Sequence, residues 1–356
     1  MQEAPLISLL VPICNVERYL RECLDSARDQ TLTDIEIICI NDGSTDSSLA
    51  IINECAAADP RFVVIDKPNS GYGDSMNIAL ARARGTYIGI LESDDYMELD
   101  GLETMYRAAV KYDAQVVKTD FYLFWSKPTA RNVRFQWVDA ALEGHINPQV
   151  EREVFYRKPS IWSAIYKRSF LEENDITFLP SPGASYQDAG FNFKVWSSCT
   201  NAVLIDRAFL HYRQDNEKSS VNNPGKVFCV CDEYEEMNRY LDTHWQDRPY
   251  LRDILGRMQF DSYEWNYDRL TDDLAATFLP RMRQDMAAVR DRGALNLEIF
   301  EPGKRVSLEL LLAHPELYAL KRTSDGAKTR GERFRRLLRS GGLVNTLRLM
   351  AFRARH

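Results

Sequence analysis

Residues 87–98 read YIGILESDDYME: an apolar run, Tyr87 to Leu91, ends in Glu92, Asp94 and Asp95 with one serine among them. Three carboxylates within four positions repel one another. Their pKa values are pushed apart unless water screens them or a cation sits among them. The cluster is either a solvated turn that caps a following helix or a cation site at a strand end. Asp42 in NDGSTDSS and Asp188 in SYQDAGF also stand at expected turns, where a carboxylate can cap a helix or accept a ligand's hydrogen bond. His211 and Arg213 in HYRQDNEKSS set an imidazole, able to ligate a metal, beside a guanidinium, able to grip an anion through two nitrogens.

Alternating strand and helix periods hold these loops. ISLLVPI (7–13), IEIICIN (35–41), FVVIDK (62–67), TYIGILES (86–93) and QVVKTDF (115–121) are apolar strand runs. Between them lie helical periods at 16–30, 49–59, 75–85 and 99–114, the third expected to close on Gly85 as a C-cap. Repeated units of this length predict a doubly wound, mostly parallel α/β sheet with helices on both faces, in which ligands bind beyond the carboxyl ends of the strands. That rule singles out Pro12–Glu17, Asn41–Asp46, Lys67–Asp74 and Glu92–Asp95. No G-x-G-x-x-G and no P-loop lysine motif occurs, which argues against a nicotinamide-binding domain and a P-loop kinase. From about 121 to 215 the pattern loosens, and beyond about 225 it is helical, including SLELLLAHPELYALKR as one stretch.

The 356 residues suggest about two domains. A net charge of −7 argues against a general nucleic-acid binder. The seven cysteines are odd in number and form no CxxC pair, so they are read as reduced and structural, which suggests the cytoplasm. The N-terminus lacks the basic flank of a signal peptide, and no run reaches the roughly 18 apolar residues of a membrane span.

Taken in order, LLVPICNVERYLRECLDSARDQT, NDGSTDSS and PNSGYGDSMNIALARARGTYIGILESDD resemble the nucleotide-sugar domain of family 2 glycosyltransferases, which have the GT-A fold. The resemblance covers about residues 5–125 and continues through PGASYQDAGFNFKVW (182–196) and HYRQDNEKSSV (211–221). It implies an inverting transfer from a nucleotide sugar, expected to be UDP-linked, aided by Mn²⁺ or Mg²⁺ on the leaving diphosphate. Glu92-Ser93-Asp94 occupies the place of the family's DXD motif, with Glu92 for its first aspartate. By the same resemblance Asp94, Asp95 and His211 are metal ligands. Pro12, Ile13, Glu17, Asp42, Asn69, Gly71, Asp74, Asn77, Glu92, Ser93, Asp94 and Arg213 line the nucleotide-sugar site, with Asp42 accepting from a uracil N–H. Asp188 is the base that takes the acceptor hydroxyl's proton, Gln187 standing where the family has a first acid. Trp162 either stacks on an acceptor sugar or belongs to the core.

The expected organisation is a catalytic domain over 1–220 and a helical region over 221–356, the first with a nucleotide-sugar half (5–125) and an acceptor half (126–220). DNEKSSV after His211 reads as a lid. The tail 330–356 carries eight arginines against Glu332 alone, with an apolar side. It suits an anionic membrane surface or packing on the protein or on a homodimer partner. The acceptor is expected to be a bacterial surface glycan or a lipid-linked sugar. A nucleotidyltransferase of similar fold would need a basic, Gly-rich triphosphate loop that VPICNVERYL lacks. A non-catalytic sugar-nucleotide or glycan-binding scaffold is the remaining alternative.

Overall fold

The isoleucine-rich run Ile35–Asp42 is buried at all 8 positions because strands flank it on both edges. The computed structural model describes residues 4–183, 185–216, 226–323 and 329–355. The first part of the chain runs β1 (Ile7–Ile13), α1 (Glu17–Arg28), β2 (Ile35–Asp42), α2 (Ser48–Ala58), β3 (Phe62–Lys67), α3 (Tyr72–Arg82), β4 (Tyr87–Ile90) and β5 (Tyr96–Met97). It continues through α4 (Gly101–Tyr112), β6 (Val116–Trp125), β7 (Arg131–Phe135), β8 (Gly144–Ile146), β9 (Ala164–Lys167), α5 (Arg168–Glu173), α6 (Gln187–Ser198) and β10 (Ala202–Arg213).

These strands form one sheet in the order β3-β2-β1-β4-β9-β6-β10-β5, with β7 added to β6 and β8 to β10. The alternating units pair in parallel, β1 with β2 and β4, and β2 with β3. Beyond β4 the sheet is mixed. β9 runs antiparallel to both β4 and β6, and β5 runs antiparallel to β10, while β6 and β10 are parallel. The wind reverses between β1 and β4, so the loops after Ile13 and Ile90 part at a switch point and open a crevice there. Helix α1 keeps Leu20, Cys23, Leu24 and Ala27 buried, the i, i+3, i+4 stripe that its sequence period requires.

Gly85 is not a helix cap. Helix α3 ends at Arg82, and Gly85 instead donates its N–H to Ser8 Oγ at 2.8 Å. A Cβ there would stand 2.4 Å from the Ser8 nitrogen, so the glycine is required by the close approach to β1.

The chain divides into two compact units, Met1–Asn222 and Asn223–His356. The second contains α7 (Cys229–His244), α8 (Tyr250–Arg269), α9 (Asp272–Asp291), α10 (Pro302–Ala313), α11 (Pro315–Thr323) and α12 (Arg330–Arg355). Pro315 splits SLELLLAHPELYALKR into α10 and α11, since proline starts a helix readily but cannot continue one. Inside this unit the buried Glu264 is met by Lys304 at 2.6 Å and Lys321 at 2.8 Å, which satisfies a carboxylate that would otherwise be costly to bury.

Candidate active site

At the crevice lies a cleft of about 620 Å³, counting its open mouth, lined by Pro12, Ile13, Cys14, Asp42, Asn69, Gly71, Tyr72, Ser75, Glu92, Ser93 and Gly183. Seven of these are sequence-predicted: Pro12, Ile13, Asp42, Asn69, Gly71, Glu92 and Ser93. They come from the carboxyl ends of β1, β2, β3 and β4. Cys14 and Tyr72 lie in the loops singled out from the sequence but were given no role, and Ser75 and Gly183 lie outside those loops.

Asp42 ends β2 and is almost fully buried. Its carboxylate accepts from Lys67 Nζ at 2.5 Å, the Ser70 amide at 2.8 Å and the Gly71 amide at 3.1 Å. Burial alone would raise its pKa, but Lys67 and the two amides outweigh burial and hold it below the usual value. A carboxylate has about four lone-pair positions, so three donors leave one for a ligand N–H. Gly71 is held at φ 95°, and a Cβ there would lie 2.8 Å from both Ser181 O and the Gly183 nitrogen. Only glycine fits where these loops meet. Asn69 ties in the same loop through Nδ2 to the Asp42 carbonyl at 2.9 Å.

The acidic loop after β4 divides its carboxylates among separate tasks. Glu92 Oε1 accepts from the Tyr72 hydroxyl at 2.7 Å on the cleft wall. Burial pushes its pKa up to about 8; the Tyr72 bond opposes this, and the charges of Asp94 and Asp188 add to it. Asp94 is half-buried, and its Oδ2 accepts from Asn216 Nδ2 at 2.8 Å, which leaves Oδ1 for a ligand. Asp95 is buried: Oδ1 accepts from the Arg213 amide at 2.8 Å, and Oδ2 has no protein partner. Burial, with Asp94 beside it, raises Asp95 well above the ordinary aspartate value.

Several expected site residues have other work in the structure. His211 does not join the acids as a metal ligand. Its Nδ1 meets Asn132 Oδ1 and its Nε2 meets Glu98 Oε1, each at 2.9 Å, and the ring stacks between Tyr96 and Tyr122 at 4.1 and 4.8 Å. Both nitrogens are used. Arg213 is buried, with Nε donating to the Asp94 carbonyl at 2.8 Å and NH2 to Glu22 at 2.6 Å, so it clamps the acidic loop to α1 and β10. Asn77 exchanges two bonds with the Phe178 backbone at 2.8 and 2.9 Å and thereby anchors the segment leading to α6. Glu17 accepts from the Ser47 amide at 2.8 Å, joining the first turns of α1 and α2 outside the cleft. Asp74 accepts from Ser70 Oγ and lies 3.8 Å from Lys67. Trp162 is core, with ring centres 4.6 Å from Phe121 and 4.9 Å from Tyr212. The half-exposed ring it supports is Tyr212.

Asp188 sits in the first turn of α6. Gln187, beside it, receives the Ser185 amide on Oε1 and donates Nε2 to Ser181 Oγ at 2.8 Å and Gly183 O at 3.2 Å. The amide both accepts and donates here, and the donation to the Gly183 carbonyl is one that a carboxylate could not make. Asp188 Oδ1 accepts from the Ala189 amide at 2.9 Å. Burial pushes its pKa up to about 6, against the lowering by that bond and by the Lys158 cation. Lys158 lies with Nζ 4.6 Å from the Tyr212 ring centre. Burial raises the Tyr212 phenol to about 12, and so do the facing charges of Asp95, Asp94, Asp188 and Glu92. All four charges therefore act on Tyr212. Lys158 and Tyr212 were missed, and Tyr72 was given no role although its loop was singled out. Of the expected lid, residues 217–221 lie outside the described residues, while Asp215 accepts from the Ser126 and Lys127 amides at 2.9 and 3.0 Å.

Residues 8–187 match the family model described as Glycosyl transferase family 2. The chain belongs to that family. It is 33% identical over 220 residues to the putative glycosyltransferase EpsH of Bacillus subtilis, a match covering 59% of this chain and 61% of that one. The chain thus spans about three fifths of that relative's length. Among solved structures it is similar to S. aureus TarS residues 1–349 in complex with UDP-GlcNAc, with a TM-score of 0.68 and 20% identity over 88% of this chain and 89% of that one. It is also similar to the mannosyltransferase PcManGT from Pyrobaculum calidifontis in complex with GDP-Man and Mn²⁺, with a TM-score of 0.50 and 14% identity over 88% and 89%. Both likenesses are of fold.

Proposed function

We propose that this chain is a metal-dependent inverting glycosyltransferase that moves a sugar from a UDP-sugar to a hydroxyl of a bacterial surface glycan or lipid-linked acceptor. One observation carries the reading: a strand-end cleft in a family 2 chain is lined by a donor-held Asp42 and by Glu92, and the charge of a half-buried Asp188, its pKa pushed up to about 6, acts on that Glu92. Asp42 accepts the uracil imide N–H through its remaining lone pair. Asp188 takes the proton of the acceptor hydroxyl while its oxygen attacks the anomeric carbon. The new C–O bond forms on the face opposite the breaking bond to the diphosphate, which inverts the centre. Tyr212, backed by Trp162, offers the ring face for an acceptor sugar. The fold likeness to a protein with bound UDP-GlcNAc supports the choice of nucleotide.

Among the described residues no three His, Cys, Asp or Glu side chains gather as a metal cage. That suits Mg²⁺ or Mn²⁺ bound by one or two carboxylates and completed by substrate phosphates, and the donor set fits with Asp94 as the holding residue. The ion would offset the charge of the departing diphosphate. Asp94→Asn removes a ligand charge but keeps the shape. UDP release in the presence of acceptor should fall by about two orders of magnitude or more, and Mn²⁺ should no longer tighten UDP binding in calorimetry. Full turnover of the unmodified enzyme in EDTA would sink the metal reading.

A further inference from the structure

The basic tail has two faces, and the structure distinguishes them. Helix α12 is interrupted at Gly342, whose φ of 69° and ψ of 175° lie outside the helical region. Its inward side is fixed on α11: Leu337, Thr346 and Leu349 are buried, Arg348 meets Glu316 at 3.2 Å, and Gly341 sits so close to Leu320 that a Cβ would stand 2.5 Å from it. The outward side after the break is apolar. Leu343 is 55% exposed, Val344 71%, Leu347 52% and Met350 49%. Spacings of three, four and seven residues put these on one helical face, the pattern of a surface that meets an apolar phase.

The charge is segregated in the same element. Residues 330–356 hold eight arginines against one glutamate, a net of +7 in a chain whose total is −7. Arg333, Arg335 and Arg339 are exposed on the segment before the break. Among the described residues no helix is long and apolar enough to cross a membrane. A symmetric contact between two copies would bring two tails of net charge +7 together. A nucleic-acid backbone would satisfy the arginines but leave the apolar row in water. An anionic bilayer surface satisfies both.

We propose that α12 docks this protein on an anionic lipid surface, Leu343, Val344, Leu347 and Met350 entering the headgroup–acyl boundary while the arginines of 330–339 meet lipid phosphates. The inference is independent of the donor site and stands or falls separately from the proposed transfer reaction.

The test is sedimentation of the full-length protein with phosphatidylcholine vesicles made with and without phosphatidylglycerol. Binding is expected only with the anionic lipid and should weaken steeply as salt is raised, because the attraction is screened beyond about 8 Å at physiological ionic strength. Arg333→Gln with Arg335→Gln and Arg339→Gln should weaken it about five-fold per residue removed. Val344→Glu with Leu347→Glu should abolish it, and because both positions face outward, circular dichroism and UDP binding should be unchanged. Equal binding to neutral vesicles, or full binding by the Val344→Glu/Leu347→Glu variant, would overturn the proposal. So would a dimer in sedimentation equilibrium that this variant abolishes, since the face would then be a protein interface.

Discussion

At the Asp42 side of the cleft a carboxylate at the end of β2 accepts from a lysine and two backbone amides. At the Asp188 side a carboxylate in the first turn of α6 accepts from the Ala189 amide and faces Lys158. Asp42 is almost fully buried and Asp188 is half-buried. At Asp42 the donors outweigh burial and the pKa falls; at Asp188 burial outweighs them and the pKa rises to about 6. A carboxylate locked in its charged form is suited to holding a ligand. One poised near neutrality is suited to accepting and returning a proton. In the proposed mechanism, the number of fixed donors around each acid, more than the type of residue, separates binding from chemistry.

The largest effect should come from Asp188→Asn, which removes the proposed base and keeps the shape. Turnover measured by UDP release is expected to drop by about 10²–10⁴-fold, with UDP-sugar affinity within a few-fold of the parent. A variant with normal turnover would reduce Asp188 to a residue that merely begins α6. Asp42→Ala should show the opposite split. Loss of hydrogen bonding to a charged acceptor predicts UDP binding weaker by about 10–100-fold in calorimetry, with kcat at saturating donor largely kept. Unchanged affinity would leave Asp42 only the task of holding the loop from Lys67 to Gly71.

The smallest effect concerns pH. Asp188 must be ionised to act as base, so turnover should rise as pH rises through about 6. The charged and titratable groups facing it are Lys158, Glu92, Tyr72 and Tyr212. Of these, Lys158 stabilises the carboxylate. Lys158→Met should therefore raise the base's pKa and move the acid limb to higher pH by a fraction of a unit, and Lys158→Arg should restore it. An acid limb that stays in place in Lys158→Met would assign it to another group.

The parallel half of the sheet was legible because β1, β2 and β4 are buried on both faces and read as continuous apolar runs. The loops that follow them were legible for the same reason, since ligands gather at such strand ends. The loops found that way contain nine of the eleven cleft residues, and the family resemblance named seven of them, including Asp42 and Glu92. It did not find β5, which at two residues is too short to carry a period, nor β9, whose run AIYK follows directly on a 3-10 turn. Nor could it say which way the end of β10 faces. His211 pairs in register with Tyr96 and Tyr122, and that pairing turns its ring into an aromatic stack and spends both nitrogens there.

Which acids exist, and which loops they sit in, can be read locally from burial pattern and turn chemistry. What surrounds each acid is set by the fold. A carboxylate's protonation depends on donors and charges brought from afar: Lys67 and Gly71 to Asp42, Tyr72 to Glu92, Arg213 to Asp95, and Lys158 to Asp188. Those partners lie 20 to 118 residues away for the first four contacts. Their meeting is set by strand order and register, which no single stretch of chain contains.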